Sequence, residues 1–384
     1  MLTQQDRAFA PSGSTPGTHN WPEVLARLAA ACCVVFALDA AVFRTGWYQH
    51  VLEPASFAGN FERAVRNERQ RPIDGRKQIL AVGDSRSLSI RPRIAEELTG
   101  RTEFAFANVA VPGSSARGWY YLLRDIDPDA RRYTAIMFGV DDYDDEDGAE
   151  ELADRMLDLQ MAVGSLRLTD LFDFPFTFRG AQNARQAFLG CLLKGAAYKT
   201  DLHGFLAHPK HRWNDAAIWR ERSVREDWNA TGPIGSLAGL KVDWSAKKLT
   251  LPSGVDAMTR ELLRRQVDTP SYPQTGRNAQ FRRQWLTRIA DRYRNSPTVL
   301  LFVRLPRSPI PRPEALAPAK QRGVIRELAL RPNVMLADEH VFEPLESPEF
   351  FSDQFHLNAE GWTLATRIAV EQLRMALARA AGRF

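Results

Sequence analysis

The first residues whose types and spacing could do chemistry are Gly83-Asp84-Ser85-Arg86-Ser87, directly after the apolar run Ile79–Val82. A serine that ends a buried strand, preceded by glycine and an acidic residue, is placed to be an exposed nucleophile. Its hydroxyl would sit near the start of the next helix, where backbone N–H groups can stabilise an oxyanion. The same pattern also suits a polar helix N-cap, a position Ser and Asp fill routinely. The partner that separates the two readings lies 271 residues away. The chain has seven histidines, and His356 stands in Phe351-Ser352-Asp353-Gln354-Phe355-His356-Leu357-Asn358, before the last helical stretch. Asp353, three residues earlier, can turn back to hold one imidazole nitrogen while the other faces a serine. Nucleophile, base and orienting carboxylate are therefore all present, each at the edge of an expected element.

The elements that must position them alternate in type. Strand-like runs at Ile79–Val82, Phe104–Val111, Thr134–Val140, Thr298–Leu305 and Val334–Ala337 are separated by helical periodicity. The helices are expected at Ile90–Thr99, Ala116–Ile126 and from about Asn358 to Ala380. Such alternation predicts an α/β fold with a parallel sheet covered on both faces. Open sheets of this kind bind ligands beyond the carboxyl ends of their strands. The stretch from about 149 to 275 breaks the rhythm, with few strand-like runs and the punctuation Thr231-Gly232-Pro233 and Leu251-Pro252-Ser253-Gly254. It reads as one long, partly helical insertion without an internal repeat.

Composition narrows the class. The 384 residues carry 51 Lys plus Arg against 46 Asp plus Glu, a net charge of +5, with both signs interleaved and no basic stripe for nucleic acid. Three cysteines cannot form a disulfide framework. Residues 1–22 read as a flexible polar tail. Residues 23–46 include the nearly continuous apolar stretch Leu25–Phe43, close to the roughly 20 residues of a membrane helix. A signal anchor is the favoured reading, because Ala37–Ala41 is a poor cleavage site; a cleaved signal and a buried core helix are its rivals. Arg7, Arg27, Arg44, Arg63 and Arg66 flank the segment on both sides and leave its orientation open. Residues 47–76 read as a polar, Arg-rich connector, and 77–384 as the main domain.

The motifs together resemble the SGNH branch of the GDSL hydrolase superfamily. The first block matches Gly83-Asp84-Ser85, with Arg86 where the namesake leucine usually stands. The second resembles Asn108-Val109-Ala110-Val111-Pro112-Gly113, the third Gly139-Val140-Asp141-Asp142, and the last matches Asp353 and His356. The match covers about 77–148 and 276–384. The resemblance implies a three-layer α/β/α sandwich with a flavodoxin-like parallel sheet, and ester hydrolysis or acyl transfer without a metal or other cofactor. It also implies an oxyanion hole from the amides of Ser85 and Gly113 and the side chain at Asp141. There the sequence departs: the family has asparagine, and an ionised carboxylate only accepts hydrogen bonds. An anchored chain with this first block and a Gly-Val-Asp-Asp-Tyr third block is similar to bacterial envelope proteins that accompany membrane-bound O-acyltransferases and modify exported polysaccharide. That implies an acylated glycan or acyl donor as partner, a neighbouring acyltransferase, and a domain outside the inner membrane facing the periplasm.

The remaining features have less pointed readings. Arg86, Asp142 and Arg304 are candidate substrate-binding side chains; Arg304 could equally pair with the acidic run Asp141–Asp147. That run has the density of a calcium loop, yet counting back from Gly148 puts Tyr143 at the first ligand position, so the pattern fails. His203, His208 and His211 cluster near Asp201 and Asp215, but their gaps do not fit one helical face, and a polar loop is the simpler reading. Trp213, Trp219 and Trp228, interleaved with Arg212, Arg220, Arg222 and Arg225, could stack sugar rings or pack an amphipathic helix on the main domain. The expectation is a membrane-anchored serine esterase or O-acyltransferase, with a catalytically silent glycan-binding or scaffold partner as the alternative.

Overall fold

The computed structural model describes residues 20–147, 151–225, 235–269, 273–312 and 322–382. At its centre are five parallel strands: β1 (Lys77–Val82), β2 (Phe104–Asn108), β3 (Ala135–Val140), β6 (Val299–Arg304) and β7 (Val334–Leu336). Their order across the sheet is β2-β1-β3-β6-β7. The strands are apolar almost throughout because both faces are covered. Alternate side chains divide between two cores: Leu80, Val82, Ile136, Phe138, Leu300 and Phe302 face one way, and Ile79, Ala81, Met137, Leu301 and Val303 the other.

Helices α2 (Phe57–Gln70), α4 (Ala116–Ile126), α5 (Leu157–Ala162), α11 (Arg277–Arg292) and α12 (Val324–Leu328) line the first core. Helices α3 (Pro92–Leu98), α10 (Ala257–Asp268) and α13 (Ala359–Ala381) line the second. Along α13 the inward residues include Ala365, Ala369, Ala376 and Ala380, which let the helix lie close against the sheet. The order of strands reverses its direction between β1 and β3, and a ligand crevice forms beyond such a switch point. Ser85 follows β1 and Asp141 follows β3, so both stand there.

Two stretches differ from expectation. The connector is part of the fold: α2 buries Phe61 and Val65 in the first core, and its Ser56 N-cap accepts from the Gly59 amide at 2.9 Å. The insertion carries α5, α6 (Ala181–Leu192), α7 (Lys194–Ala197), α8 (Lys199–Ala207), α9 (Pro209–Arg225) and α10, as expected for a partly helical segment. It also has an antiparallel pair, β4 (Lys241–Asp243) and β5 (Lys248–Thr250). It is packed on the main domain through fully buried charges. Arg117 of α4 pairs with Asp158 of α5 at 3.2 Å, and Asp158 also accepts from Ser115 Oγ at 2.9 Å. The Arg117 guanidinium further donates to the Ala153 and Thr177 carbonyls and lies on the Phe178 ring. One helix, α1 (Trp21–Asp39), continues in a π-helical turn (Ala40–Arg44). This 24-residue rod is long and apolar enough to be a membrane anchor or a signal sequence, and its apolar window is not buried in the protein.

Removing one member of a buried ion pair strands the other charge, at a cost of about 3–5 kcal/mol. Asp158→Ala should therefore lower stability by about that amount while keeping a single cooperative transition. Chemical denaturation followed by circular dichroism and tryptophan fluorescence checks this. Two separate transitions would show that the insertion folds independently.

Candidate active site

Ser85 owes its position to a gap between two strand ends. β1 ends just before Gly83, Gly139 is the last residue but one of β3, and a β-carbon on either would lie 1.8 and 2.1 Å from Ser87 Oγ. With glycine at both places the Ser87 side chain drops between the strands and is fully buried. The Ser85–Ser89 segment is thereby pulled into a 3-10 turn over the sheet edge. Asn108 at the end of β2 fixes the turn, donating to the carbonyls of Ser87 (2.8 Å) and Ile90 (2.7 Å). The Asp84 carboxylate caps it by accepting from the Arg86 amide at 2.9 Å.

The base arrives on a similarly closed loop. A bridge between Phe351 and Leu357 ties its ends, and Ser352 donates to the His356 carbonyl from its amide at 2.9 Å and its hydroxyl at 3.0 Å. Asn358 then caps α13 by accepting from the Gly361 amide. Nucleophile and base are coupled behind the site: the buried Thr366 hydroxyl of α13 accepts the Arg91 amide at 3.0 Å and reaches the Ser89 carbonyl at 3.1 Å.

These elements bring Ser85 Oγ to 2.8 Å from His356 Nε2, and His356 Nδ1 to 2.8 Å from Asp353 Oδ2. The other carboxylate oxygen accepts the Phe355 and His356 amides, both at 2.8 Å. With Asp353 accepting at Nδ1–H, Nε2 is left to accept the serine proton, the tautomer a general base needs. Burial pushes the Asp353 carboxyl up, but the His356 hydrogen bond and the two amides outweigh it and hold it below the usual carboxylate range. Asp84 behaves alike: burial opposes its ionisation, and the adjacent Arg86 guanidinium and amide overcome it. Both carboxyls have lower values folded than unfolded. The stability they contribute is present at neutral pH and is lost on acidification through their depressed values, below about 4.

Ser85 opens into a cleft of about 660 Å³ whose lining includes Arg86, Gly113, Asp141, Arg155 and Phe355. Gly113 has a φ of 71°, a left-handed conformation that favours glycine, and its amide meets no protein acceptor among the described residues. The Ser85 amide begins the 3-10 turn and has no partner within it. Asp141 is also at the cleft, but it does not stand alone. The Arg86 guanidinium contacts its Oδ1 and at the same time donates to Asp84 Oδ2 at 2.7 Å. Arg86 and Asp141 thus form an ion pair at the mouth of the cleft.

The structure does not bring Asp142 and Arg304 to this cleft. Asp142 accepts the Asp144 amide and pairs with Arg282 at 3.0 Å. Arg304 is buried under the strand ends, donating to the Glu339 carbonyl at 2.6 Å and facing Glu346 and Glu343 rather than the acidic run. That run is a knot of local pairs: Asp144 with Arg326, Asp145 with Arg282 and the Val324 amide, and Asp147 with the first amides of α11. Among the described residues, no three His, Cys, Asp or Glu side chains gather as metal ligands. His211 pairs with Asp215. Trp219 packs under the Arg63 guanidinium of α2, Trp213 is half exposed, and Trp228 lies outside the described residues. The residue that sequence reading missed is Arg155. The insertion folds it over Gly113, with Nη2 3.4 Å from where a β-carbon would stand. No spacing in the chain announces that contact.

If Ser85 attacks a carbonyl, an unshielded Asp141 carboxylate in the cleft wall would oppose the charge that forms. Arg86→Ala should therefore lower the rate on a simple acetyl ester by about 10- to 100-fold. Asp141→Asn, nearly isosteric and able to donate, should raise it by up to about 100-fold, since Asp84 still holds Arg86 in place. Joined in one chain, the second change should recover much of what the first loses. An Arg86→Ala variant as active as wild type would show that the ion pair has no electrostatic role.

No protein-family model matches the chain, and neither a characterised protein nor a solved structure is similar to it. The chemistry of the cleft rests on its own atoms.

Proposed function

We propose that this chain is a membrane-anchored serine esterase or O-acyltransferase of the SGNH type, a three-layer α/β/α domain acting on acyl groups of an envelope or exported polysaccharide. The observation that carries the reading is the unbroken relay Ser85–His356–Asp353, with both links at 2.8 Å, opening on a cleft with Gly113 beside it. His356 Nε2 takes the Ser85 proton as Oγ bonds to the ester carbonyl carbon. The Ser85 and Gly113 amides bind the resulting oxyanion. As the intermediate collapses, the C–O bond to the leaving alcohol breaks and His356 returns the proton to that oxygen, leaving an acyl-serine. Water, or a sugar hydroxyl in the transferase case, then loses its proton to His356 as its oxygen bonds to the acyl carbon; when this second intermediate collapses, the bond to Ser85 Oγ breaks and His356 returns the proton to Oγ. The apolar N-terminal rod supports an anchor; on this reading the membrane is a bacterial inner membrane, the domain lies on its periplasmic side, and a membrane-bound acyltransferase would be its partner.

Asp141 in the cleft wall favours a second reading, a silent glycan-binding or scaffold partner of such an acyltransferase. A fluorophosphonate probe separates the two. The wild type should be labelled, and Ser85→Ala and His356→Ala should lose the label while remaining folded. No label in the wild type or in Asp141→Asn would move the reading to the scaffold, and labelling that survives in Ser85→Ala would show that Ser85 is not the nucleophile.

The acid limb of kcat/KM should have a slope of one. Asp353, held below the usual carboxylate value of about 3.9, keeps its charge over that limb and adds no second proton. A slope of two in the steady-state profile would show that the Asp353 carboxylate is protonated over the same range.

A further inference from the structure

The membrane rod is joined to the insertion, not merely followed by it. Asp39, in the last turn of α1, accepts the Lys194 amide at 3.0 Å and the Gly195 amide at 2.7 Å, capping the start of α7. Arg44 donates to the Cys191 and Leu192 carbonyls at 2.5 and 3.1 Å, at the end of α6. Each charge meets the helix end of opposite polarity. Phe43 stacks on Tyr198, and a β-carbon on Gly195 would lie 2.8 Å from Phe43 and 2.9 Å from Asp39. The junction therefore fixes the insertion's orientation to the rod. A hydrocarbon core of about 30 Å takes about 20 helical residues at 1.5 Å each, so a rod beginning at Trp21 reaches headgroup level near residue 40. The α6–α7 turn bonded to Asp39 and Arg44 stands at that level.

Exposed apolar side chains stand on the helices that flank the joint. Phe188 and Leu189 project from α6, Leu206 from α8, and Trp47 meets Phe205 edge-on at 6.4 Å. Exposed Arg185 and Lys199 accompany them, and the one carboxylate between 181 and 208, Asp201, is taken up by Tyr48 and Arg212. We propose that this face of α6 and α8 is a lipid-contacting surface, seated in the headgroup region of an anionic leaflet. It rests on the anchor reading of α1 given above. Aromatic and aliphatic side chains flanked by basic ones, and lying beside an emerging membrane helix, match the chemistry of that region, where interfacial helices bury about 5–10 Å of their apolar side.

The full chain, with Cys32, Cys33 and Cys191 replaced by alanine and retaining its cooperative unfolding, is labelled with one fluorophore at a time. The sites are Val34→Cys, Phe188→Cys, Leu206→Cys and, as an exposed control just after α12, Leu330→Cys. Each is reconstituted into phosphatidylglycerol-containing vesicles carrying nitroxide lipids. Deep nitroxides should quench position 34. Shallow ones should quench positions 188 and 206 by about twofold or more, and leave 330 unchanged. Quenching at 34 without quenching at 188 and 206 overturns the proposal while the anchor stands, and leaves that face to a protein partner. Equal quenching of 188 and 206 in purely zwitterionic vesicles overturns its anionic part. No quenching at 34 overturns the anchor itself, and this inference with it.

Discussion

Everything at the site depends on one close approach: Ser87 Oγ filling the space that Gly83 and Gly139 leave between the ends of β1 and β3. The hydroxyl is buried without a protein partner there, an arrangement that costs roughly 1–3 kcal/mol in a native fold. In return the 3-10 turn lies flat on the sheet edge and Ser85 faces across to the loop before α13. A larger residue at either glycine would lift the turn and lengthen the 2.8 Å link to His356. The glycine preceding the nucleophile is thus required by space, not by backbone conformation, whereas Gly113 is set by its positive φ.

The second constraint is electrostatic. If Ser85 attacks a carbonyl, the oxyanion that forms on the substrate needs donors nearby, yet the strand ends deliver Asp84 and Asp141 to the same place. Arg86 spans both carboxylates, and Asp84 orients it. Viewed singly, the Asp141 carboxylate in the cleft wall weakens the case for catalysis. As a contacting pair Arg86 and Asp141 are complementary in charge. The same economy runs through the Asp141–Asp147 stretch, where density of charge reflects helix caps and ion pairs rather than a cation loop.

What could be read in advance follows from how each feature is encoded. Parallel strands buried on both faces are continuous apolar runs, so all five sheet strands stood out, within a few residues of their ends. Ser85, His356 and Asp353 were legible because few histidines exist and each residue borders an element. Helix α2 was not, since Phe57, Ala58, Phe61, Ala64 and Val65 mark a helical face but are diluted by arginine and glutamate. Strands β4 and β5 are three residues each and mostly exposed, too short for a pattern. Arg304 misled for a physical reason: a strand end is where a ligand group belongs, but this strand end is covered by the 339–346 segment, so its guanidinium meets Glu343 and Glu346 instead. Arg155 was out of reach because only the folded insertion carries it to Gly113.

The insertion is what unites these parts. Its first residues place Leu152 and Arg155 on the cleft wall, its α5 locks Asp158 onto Arg117, and its α6–α7 turn grips Asp39 and Arg44 at the end of the apolar rod. Between those points the chain is buried against α2 and α4. A flexible tether would let the cleft sample every height and tilt above a bilayer. Here the path from rod to cleft passes through a buried ion pair and a capped helix turn, so the two keep one geometry. For an acyl transfer, holding the reacting groups in one relative position lowers the entropic part of the barrier. On the acyltransferase reading, a substrate or partner enzyme confined to the same membrane would meet Ser85 at a fixed distance from the surface. The long segment that interrupts the α/β rhythm would then serve as the element that sets that distance.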